Sequence, residues 1–245
     1  MSRTFGIDVS YHQGSIDFRQ AVTGGARFAY IKCSQNKGTD KNFQTNWKAA
    51  KVAGLMRGAY HFGDYNQYAQ PQAAYFASVL QNDRGELPPV LDIEPFYGYA
   101  LPARPALLGW IEQFMLEVYQ SMGVRALIYV NPATIKHLSP IPTDLLAHDL
   151  WLAHYLYPAS IAAGWQPTFK PWSRYTFWQY TDRADGTKYG TTSKQVDGNY
   201  FNGDYNSLLA YSRIYTGGAP VQPDKTLDDR VTALEVAARA HGWEI

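Results

Sequence analysis

The 245-residue chain contains one cysteine, Cys33, so no disulfide bond can form within it. Because Cys33 lies in an apolar stretch that begins at Phe28, we expect a small buried thiol. Charge is sparse and balanced, since charged residues make up 18% of the chain and the formal net charge is +1. The absence of a concentrated basic patch predicts no nucleic-acid partner and no attachment to a membrane surface.

Long apolar runs and cofactor motifs are also missing. No run approaches the roughly 18 apolar residues that a membrane span requires, and residues 1–8 pass into a predicted strand without the apolar segment of a secretion signal. We therefore expect synthesis in a cytoplasm without a signal peptide, and no membrane insertion. The sequence has no His-Glu-x-x-His motif, cysteine pair, nucleophile elbow, phosphate loop or dinucleotide fingerprint, which predicts neither a metal site nor another cofactor.

Aromatic side chains, in contrast, are abundant. They form 15% of the chain, with 19 tyrosines and 7 tryptophans, which is more than a core of this size demands. Flat rings with a polar edge suit the apolar faces of sugars, so this composition is compatible with a carbohydrate ligand.

Two carboxylates at the end of a short apolar run are the most informative local feature. Val90 and Leu91 begin a strand of the kind buried in parallel sheets, and Asp92 and Glu94 follow with one residue between them. Since side chains alternate along a strand, both carboxylates project to one side and Ile93 to the other. Their repulsion favours protonation of one of them, as a general acid requires, and glycosidases divide their work between paired carboxyls with separated pKa values.

The order of predicted elements indicates an α/β barrel. Eight strands are predicted, over residues 5–10, 28–34, 55–62, 90–94, 124–130, 149–153, 175–180 and 194–200. Helices are predicted over residues 17–22, 43–53, 71–80, 103–122 and 204–214, and a loop over residues 157–173. Alternation of strands with helices favours a parallel sheet, and eight strands favour its closure into a barrel.

In such a barrel the chemistry lies at the carboxyl ends of the strands. Eight candidate residues fall there: Asp8, Asp92, Glu94 and Asp197 for catalysis, and Lys32, Tyr60, Tyr129 and Gln179 for substrate binding. Closure places the last strand beside the first, so we expect Asp8 and Asp197 to meet. Tyr60 and His61 point to opposite faces, and we favour Tyr60 for the site. Three aromatic residues near the expected mouth are further candidate substrate contacts: Tyr97, Tyr155 and Trp178.

The end of the chain differs from the rest. We expect the barrel to occupy residues 1–215. A linker that is rich in glycine and proline should follow over residues 216–226, and an amphipathic helix should occupy residues 227–245. The apolar face of that helix is formed by Leu227, Val231, Leu234, Ala238 and His241. Two heptads are too short for a stable coiled coil alone, so the helix is expected either to dock on the barrel or a larger particle, or to form a homo-oligomer.

Eight short motifs occur in order over roughly residues 4 to 213. They are Gly6-Ile7-Asp8-Val9-Ser10, Tyr30-Ile31-Lys32, Gly58-Ala59-Tyr60-His61-Phe62, Asp92-Ile93-Glu94, Ile128-Tyr129, Trp151-Leu152-Ala153, Trp178-Gln179-Tyr180 and Val196-Asp197-Gly198-Asn199. Together they resemble the glycoside hydrolase family 25 lysozymes, the N-acetylmuramidases of phages, bacteria and fungi. The resemblance implies a flattened (β/α)5(β)3 barrel that cleaves the β-1,4 bond between N-acetylmuramic acid and N-acetylglucosamine in peptidoglycan.

The resemblance also implies roles for the acidic residues. Glu94 matches the general acid of the family, and Asp8, Asp92 and Asp197 match its other acidic site residues. One departure is Gln35, where many members carry a glutamate. Asp92 emerges beside Glu94, which favours a substrate-assisted route through the 2-acetamido group, with Asp92 orienting that group. An inverting route, in which Asp197 activates water, stays open.

Three functional classes follow from this sequence. The first is an active muramidase that acts on the bacterial cell wall, either as a phage endolysin released through a holin or as part of a phage particle. The second is a chitinase-like glycosidase, and the third is a non-catalytic wall-binding module of a phage or injection particle. The intact pair Asp92 and Glu94 argues against the third class, because a scaffold has no need to keep two like charges together.

Overall fold

The structure, a computed structural model, describes residues 3–95, 98–156, 158–162 and 164–217. Tyr97, most of the expected linker and the expected helix 227–245 lie outside the described residues, so these predictions stay predictions. The last described helix continues to Gly217, two residues into the segment that we expect to be the linker.

The described residues contain nine strands in a single sheet. They are β1 (Thr4–Val9), β2 (Phe28–Gln35), β3 (Gly38–Thr39), β4 (Met56–Phe62), β5 (Val90–Asp92), β6 (Leu127–Val130), β7 (Leu150–Ala153), β8 (Phe177–Asp185) and β9 (Gln195–Phe201). The strand order is β1-β9-β8-β7-β6-β5-β4-β2-β3, and β1 also pairs with β2. That last pairing closes eight strands into a barrel and leaves the two-residue strand β3 as a hairpin partner outside it. The prediction of an eight-stranded α/β barrel is confirmed.

Within the barrel, the two pairings made by β9 differ from the others in direction. The barrel pairs from β1 and β2 round to β7 and β8 are parallel. In contrast, β9 is antiparallel to both β8 and β1. The amino end of β9 therefore lies at the same mouth as the carboxyl ends of its neighbours. Asp197 is the third residue of β9 and reaches the mouth for this reason, whereas we had expected it at a carboxyl end.

Seven α-helices accompany the strands in the described part of the chain. They are α1 (Phe18–Thr23), α2 (Phe43–Val52), α3 (Ala69–Leu80), α4 (Arg104–Met122), α5 (Pro132–Leu138), α6 (Pro158–Ala162) and α7 (Tyr205–Gly217). The sequence analysis missed α5 and α6. A start signal for α5 was present, because the Asn131 side chain accepts a hydrogen bond from the Thr134 backbone at 2.9 Å and Pro132 occupies the first turn.

Helix α4 shows how the sequence pattern positions these elements. Its apolar residues recur at the helical period and are all buried: Leu107, Leu108, Ile111, Phe114, Met115, Val118 and Met122. Gly123 then adopts φ 69°, a left-handed conformation that favours glycine, and ends the helix. Helices of this kind pack on the outer face of the sheet and leave the inner face to the barrel interior.

The barrel interior is filled by rings at the amino ends of the strands. This aromatic floor consists of Phe28, Tyr30, Trp151 and Phe177. Two glycines make room for it: a Cβ at Gly58 would lie 2.0 Å from the Tyr30 ring, and one at Gly6 would lie 2.6 Å from the Phe28 ring. Helix α7 covers the same end, with Leu208 buried against the floor. Only the opposite end of the barrel is left for a site.

Candidate active site

A cleft of about 360 Å³ opens at the end of the barrel above the aromatic floor. Nine of the eleven predicted site residues line it: Asp8, Lys32, Tyr60, Asp92, Glu94, Tyr129, Tyr155, Gln179 and Asp197. These side chains meet because every second residue of a strand points into the barrel, and the strands surround one interior. The preference for Tyr60 over His61 agrees with this placement, since His61 is fully buried and hydrogen-bonded to Ser34 and Gln72.

The prediction that Trp178 contacts substrate does not fit the structure. Its side chain is 0% exposed, and its indole N–H donates to the carbonyl of His154 at 2.8 Å. Trp178 and Gln179 are neighbours on β8, so only one can face the cleft, and that residue is Gln179.

The sequence analysis also missed part of the cleft lining. The additional residues are Ser10, His12, Gln13, Gln35, Phe62, Pro95 and Trp151. A signal for several of them was present. Ser10, His12 and Gln13 lie just beyond the end of β1, the strand that carries Asp8. Phe62 lies two residues beyond Tyr60 on the same face of β4.

The backbone around Asp92 and Glu94 is fixed on both sides. The carbonyl of Asp92 accepts a hydrogen bond from the Gly63 N–H at 3.1 Å and from the Tyr65 hydroxyl at 3.5 Å. The N–H of Ile93 donates to the carbonyl of Tyr129 at 3.0 Å, and the Ile93 side chain is fully buried outside the barrel. Both carboxyls therefore project into the cleft, as the alternation of side chains predicted.

Burial raises the pKa of both carboxyls. For Glu94 the pKa rises to about 7, because burial disfavours its charge and the charge of Asp8 acts in the same direction, against the cation Lys32. For Asp92 burial again comes first and the charge of Glu94 second, so its pKa is raised well above its ordinary value. Glu94 is thus a carboxylic acid that still holds its proton near neutral pH, the property required of a general acid.

Asp8 and Asp197 form a second acidic pair. They are cross-strand partners of β1 and β9, and a hydrogen bond joins their side chains. Burial and then the charge of Asp8 raise the pKa of Asp197 to about 9. Burial also raises the pKa of Asp8, but hydrogen bonds donated by Asn199, Gln179 and Asp197 oppose that shift. The hydrogen bonds to Asp8 therefore favour the proton of the pair on Asp197 and the charge on Asp8.

Two buried amides hold the charged oxygen of Asp8. The Nδ2 of Asn199 donates to Oδ2 of Asp8 at 2.7 Å, and the Nε2 of Gln179 donates to the same oxygen at 2.8 Å. The orientation of each amide is set on its other side. Oε1 of Gln179 accepts from the hydroxyls of Tyr129 and Tyr155, each at 2.8 Å. Oδ1 of Asn199 accepts from the indole N–H of Trp151 at 2.9 Å.

Lys32 supplies the cation that faces the acidic groups. Its ammonium donates to Oε1 of Gln35 at 3.0 Å and lies 4.6 Å from the centre of the Phe62 ring. Burial lowers its pKa, and the charges of Asp92, Asp40 and Glu94 oppose that shift. A register irregularity in β2 between Lys32 and Ser34 shifts the pairing next to the cleft.

The three tyrosines of the cleft stay neutral. Burial raises the pKa of Tyr60, Tyr129 and Tyr155, and the surrounding carboxylates act in the same direction. Their hydroxyls can therefore donate hydrogen bonds over the whole physiological pH range. Tyr155 lies at the rim and is 50% exposed.

The described residues contain neither a metal-binding cluster nor a membrane-spanning helix. No group of three or more histidine, cysteine, aspartate or glutamate side chains there is arranged to hold a metal ion. None of the described helices combines the length and the apolar character that crossing a bilayer requires.

Comparisons with known proteins agree with this geometry. The model of the family Glycosyl hydrolases family 25 matches residues 7–187. Lysozyme M1 of Streptomyces globisporus is 34% identical over 215 residues, which cover 84% of this chain and 70% of that protein. An N,O-diacetylmuramidase of Arthroderma benhamiae is 29% identical, over 85% of this chain and 86% of its own length.

Solved structures show the same relationship. The crystal structure of the bacterial lysozyme from Streptomyces coelicolor superposes with a TM-score of 0.76 at 30% identity, over 88% of this chain and 99% of that one. A family 25 glycosyl hydrolase from Bacillus anthracis superposes with a TM-score of 0.72 at 25% identity, over 85% and 93% of the two chains. The resemblance found in the sequence motifs is confirmed: the chain belongs to glycosyl hydrolase family 25 and is a glycoside hydrolase of the lysozyme type.

Proposed function

We propose that this enzyme is an N-acetylmuramidase that cleaves the β-1,4 bond between N-acetylmuramic acid and N-acetylglucosamine, with Glu94 as the general acid. The observation that carries the proposal is the position of Glu94 in the cleft, where burial and the charge of Asp8 raise its pKa to about 7. The names of its relatives, lysozyme and N,O-diacetylmuramidase, support the substrate class.

In the proposed first step the Glu94 carboxyl gives its proton to the oxygen of the leaving sugar while the bond from that oxygen to C1 breaks. The carbonyl oxygen of the 2-acetamido group forms the new bond to C1, and the acetamido N–H donates to Asp92. Oδ1 of Asp92 is buried and has no hydrogen-bond partner among the described residues, so a substrate N–H would satisfy it. Water then attacks C1 while the bond from C1 to the acetamido oxygen breaks, Glu94 takes a proton from that water, and the configuration at C1 is retained.

The inverting alternative requires Asp197 to act as a base toward water. Its pKa of about 9 leaves it protonated at neutral pH, and its hydrogen bond to Asp8 already uses that proton. These features favour the substrate-assisted route. Detection of an inverted anomer as the first product would support the alternative.

The decisive experiment measures reducing ends released from purified peptidoglycan and identifies the new reducing sugar. General acid catalysis is worth about a hundredfold to ten-thousandfold, so Glu94→Gln should lose nearly all activity. Glu117→Gln is the matched control, because Glu117 lies on α4, outside the cleft lining, and accepts hydrogen bonds from Gln70 and Ser121. Muramic acid at the new ends, lost in Glu94→Gln alone, is the expected result.

Other outcomes would favour the other functional classes. Release from chitin without release from peptidoglycan would identify a chitinase-like enzyme. Binding to the wall without release from either polymer would identify a binding module. Action on the bacterial cell wall, with lysis as its result, is part of this proposal. Holin release, carriage on a phage particle and assembly through residues 227–245 stay predictions.

A further inference from the structure

The reaction scheme above does not use the two buried amides that donate hydrogen bonds to Asp8, those of Gln179 and Asn199. Gln179 is 3% exposed and Asn199 is 0% exposed. In each, the amide oxygen accepts and the amide nitrogen donates a hydrogen bond within the protein. We had expected Gln179 to bind substrate and had not singled out Asn199. With three protein partners, the Gln179 amide has little capacity left for a sugar, so a different role is required.

We propose that Gln179 and Asn199 are positioning residues: their amides keep the negative charge of the acidic pair on Asp8, and that charge keeps the proton on Glu94. This inference rests on the proposed role of Glu94 as the general acid. It assigns a task in the proton balance of the site to residues that touch neither the scissile bond nor Glu94.

The direction of the hydrogen bonds carries the argument. Because two tyrosine hydroxyls occupy Oε1 of Gln179, its Nε2 must point at Asp8, and the Trp151 indole orients Asn199 in the same way. Both amides can only donate to Oδ2 of Asp8, so that oxygen must be an acceptor and favours the ionised form. The proton shared with Asp197 then stays on Asp197, where the two carboxyls face each other across β1 and β9.

Several charged or titratable groups act on this pair and on Glu94 or line the same cleft. They are Lys32, Asp92 and Asp197, with Asp182 acting on Asp197 and His12 in the cleft lining. The phenols are Tyr60, Tyr65, Tyr129 and Tyr155, which stay neutral. Burial is the largest cause of the raised pKa of Glu94, and the charge on Asp8 adds to it and exceeds the opposing effect of Lys32.

The test compares the pH dependence of kcat on peptidoglycan in four proteins: the wild type, Gln179→Met, Asp8→Asn and the double variant. The alkaline limb of the profile is the range in which kcat falls as the pH rises. Because Asp8→Asn removes the charge on Asp8, its alkaline limb should lie about one pH unit lower than that of the wild type. Gln179→Met should move it in the same direction by a smaller amount. The double variant should show no shift beyond that of Asp8→Asn, because Gln179 acts through Asp8.

Gln72→Met is the matched control. Gln72 is also a fully buried amide, and its Nε2 donates to three backbone carbonyls outside the cleft. Its replacement should lower the melting temperature and leave the alkaline limb in place. A limb in Gln179→Met that coincides with the wild-type limb, whether kcat falls or KM rises, would overturn the inference.

A direct titration keeps the inference testable if the variants turn over too slowly. Carbon-13 NMR of the Glu94 side-chain carboxyl in wild type, Gln179→Met and Asn199→Leu should show the titration of Glu94 moving to lower pH in both variants, and an unmoved titration would contradict the inference. An inactive wild type, or an active Glu94→Gln variant, would instead refute the proposed function. The two failures can therefore be told apart.

Discussion

Asp8 and Asp197 face each other across the antiparallel pair β1 and β9, at the point where the barrel closes. The two residues are far apart in the chain, and they meet because β9 runs against its neighbours. Burial raises the pKa of both carboxyls, and in contact they share one proton. The pair thereby supplies a charge that acts on Glu94 from the other side of the barrel closure, from β1.

The pH profile of the reaction should report the proton on Glu94. A general acid works in its protonated form, so kcat should fall about tenfold per pH unit above the pKa of about 7. An ordinary glutamate would lose its proton above about pH 4.3. Rates of reducing-end release at constant ionic strength, with circular dichroism to confirm that the enzyme stays folded, measure the limb. A limb near pH 4 to 5 would contradict the burial-driven shift.

Removal of the cation in the cleft should move the same limb in the opposite direction. Lys32 lowers the pKa of Glu94 against the effects of burial and Asp8, so Lys32→Met should raise the pKa of Glu94 and extend activity to higher pH. The control is Lys37→Met, because Lys37 is exposed on the turn between β2 and β3. An alkaline limb that moves equally in both variants, or not at all in Lys32→Met, would show that the charge of Lys32 does not reach Glu94.

The acidic pair should cost stability at neutral and alkaline pH. The pKa of Asp197 is about 9 in the folded enzyme and near its ordinary, lower value in the unfolded chain. Between those values the folded state binds more protons than the unfolded state, so this contribution is present at acid pH and is lost as the pH rises. Asp197→Asn should therefore raise the melting temperature, and more at about pH 8 than at about pH 5. An equal gain at both pH values would exclude this origin.

The aromatic floor should not tolerate a methyl group at Gly58. A Cβ there would lie 2.0 Å from the Tyr30 ring, which is fully buried and stacked on Trp151. Gly58→Ala should therefore lower the free energy of unfolding by about 1–3 kcal/mol, or prevent folding.

Gly109→Ala is the matched change, because Gly109 lies within α4 and a Cβ there would meet nothing within 4 Å. It should raise stability by about 0.5–1 kcal/mol, since alanine loses less conformational entropy in a helix than glycine. Urea denaturation of both variants measures the difference, and a destabilised Gly109→Ala or an unaffected Gly58→Ala would contradict this description of the barrel.

Local patterns predicted those parts of the enzyme that depend on near neighbours in the chain. The stripe of α4, its end at Gly123 and the common face of Asp92 and Glu94 follow from the periodicities of helix and strand. The number of strands and their alternation with helices predicted the barrel, and closure predicted the contact of Asp8 with Asp197. The eight motifs in order predicted the family.

Only the tertiary structure decided which face of a strand points inward and which distant groups meet. The alternation of side chains places Trp178 and Gln179 on opposite faces of β8 but does not determine which of them faces the cleft. In the structure Trp178 is buried in the core outside the barrel. The amides that hold Asp8 come from residues 171 and 191 positions away. No periodicity links groups so distant, because their contact depends on the closure of the whole barrel and on the reversed direction of its last strand.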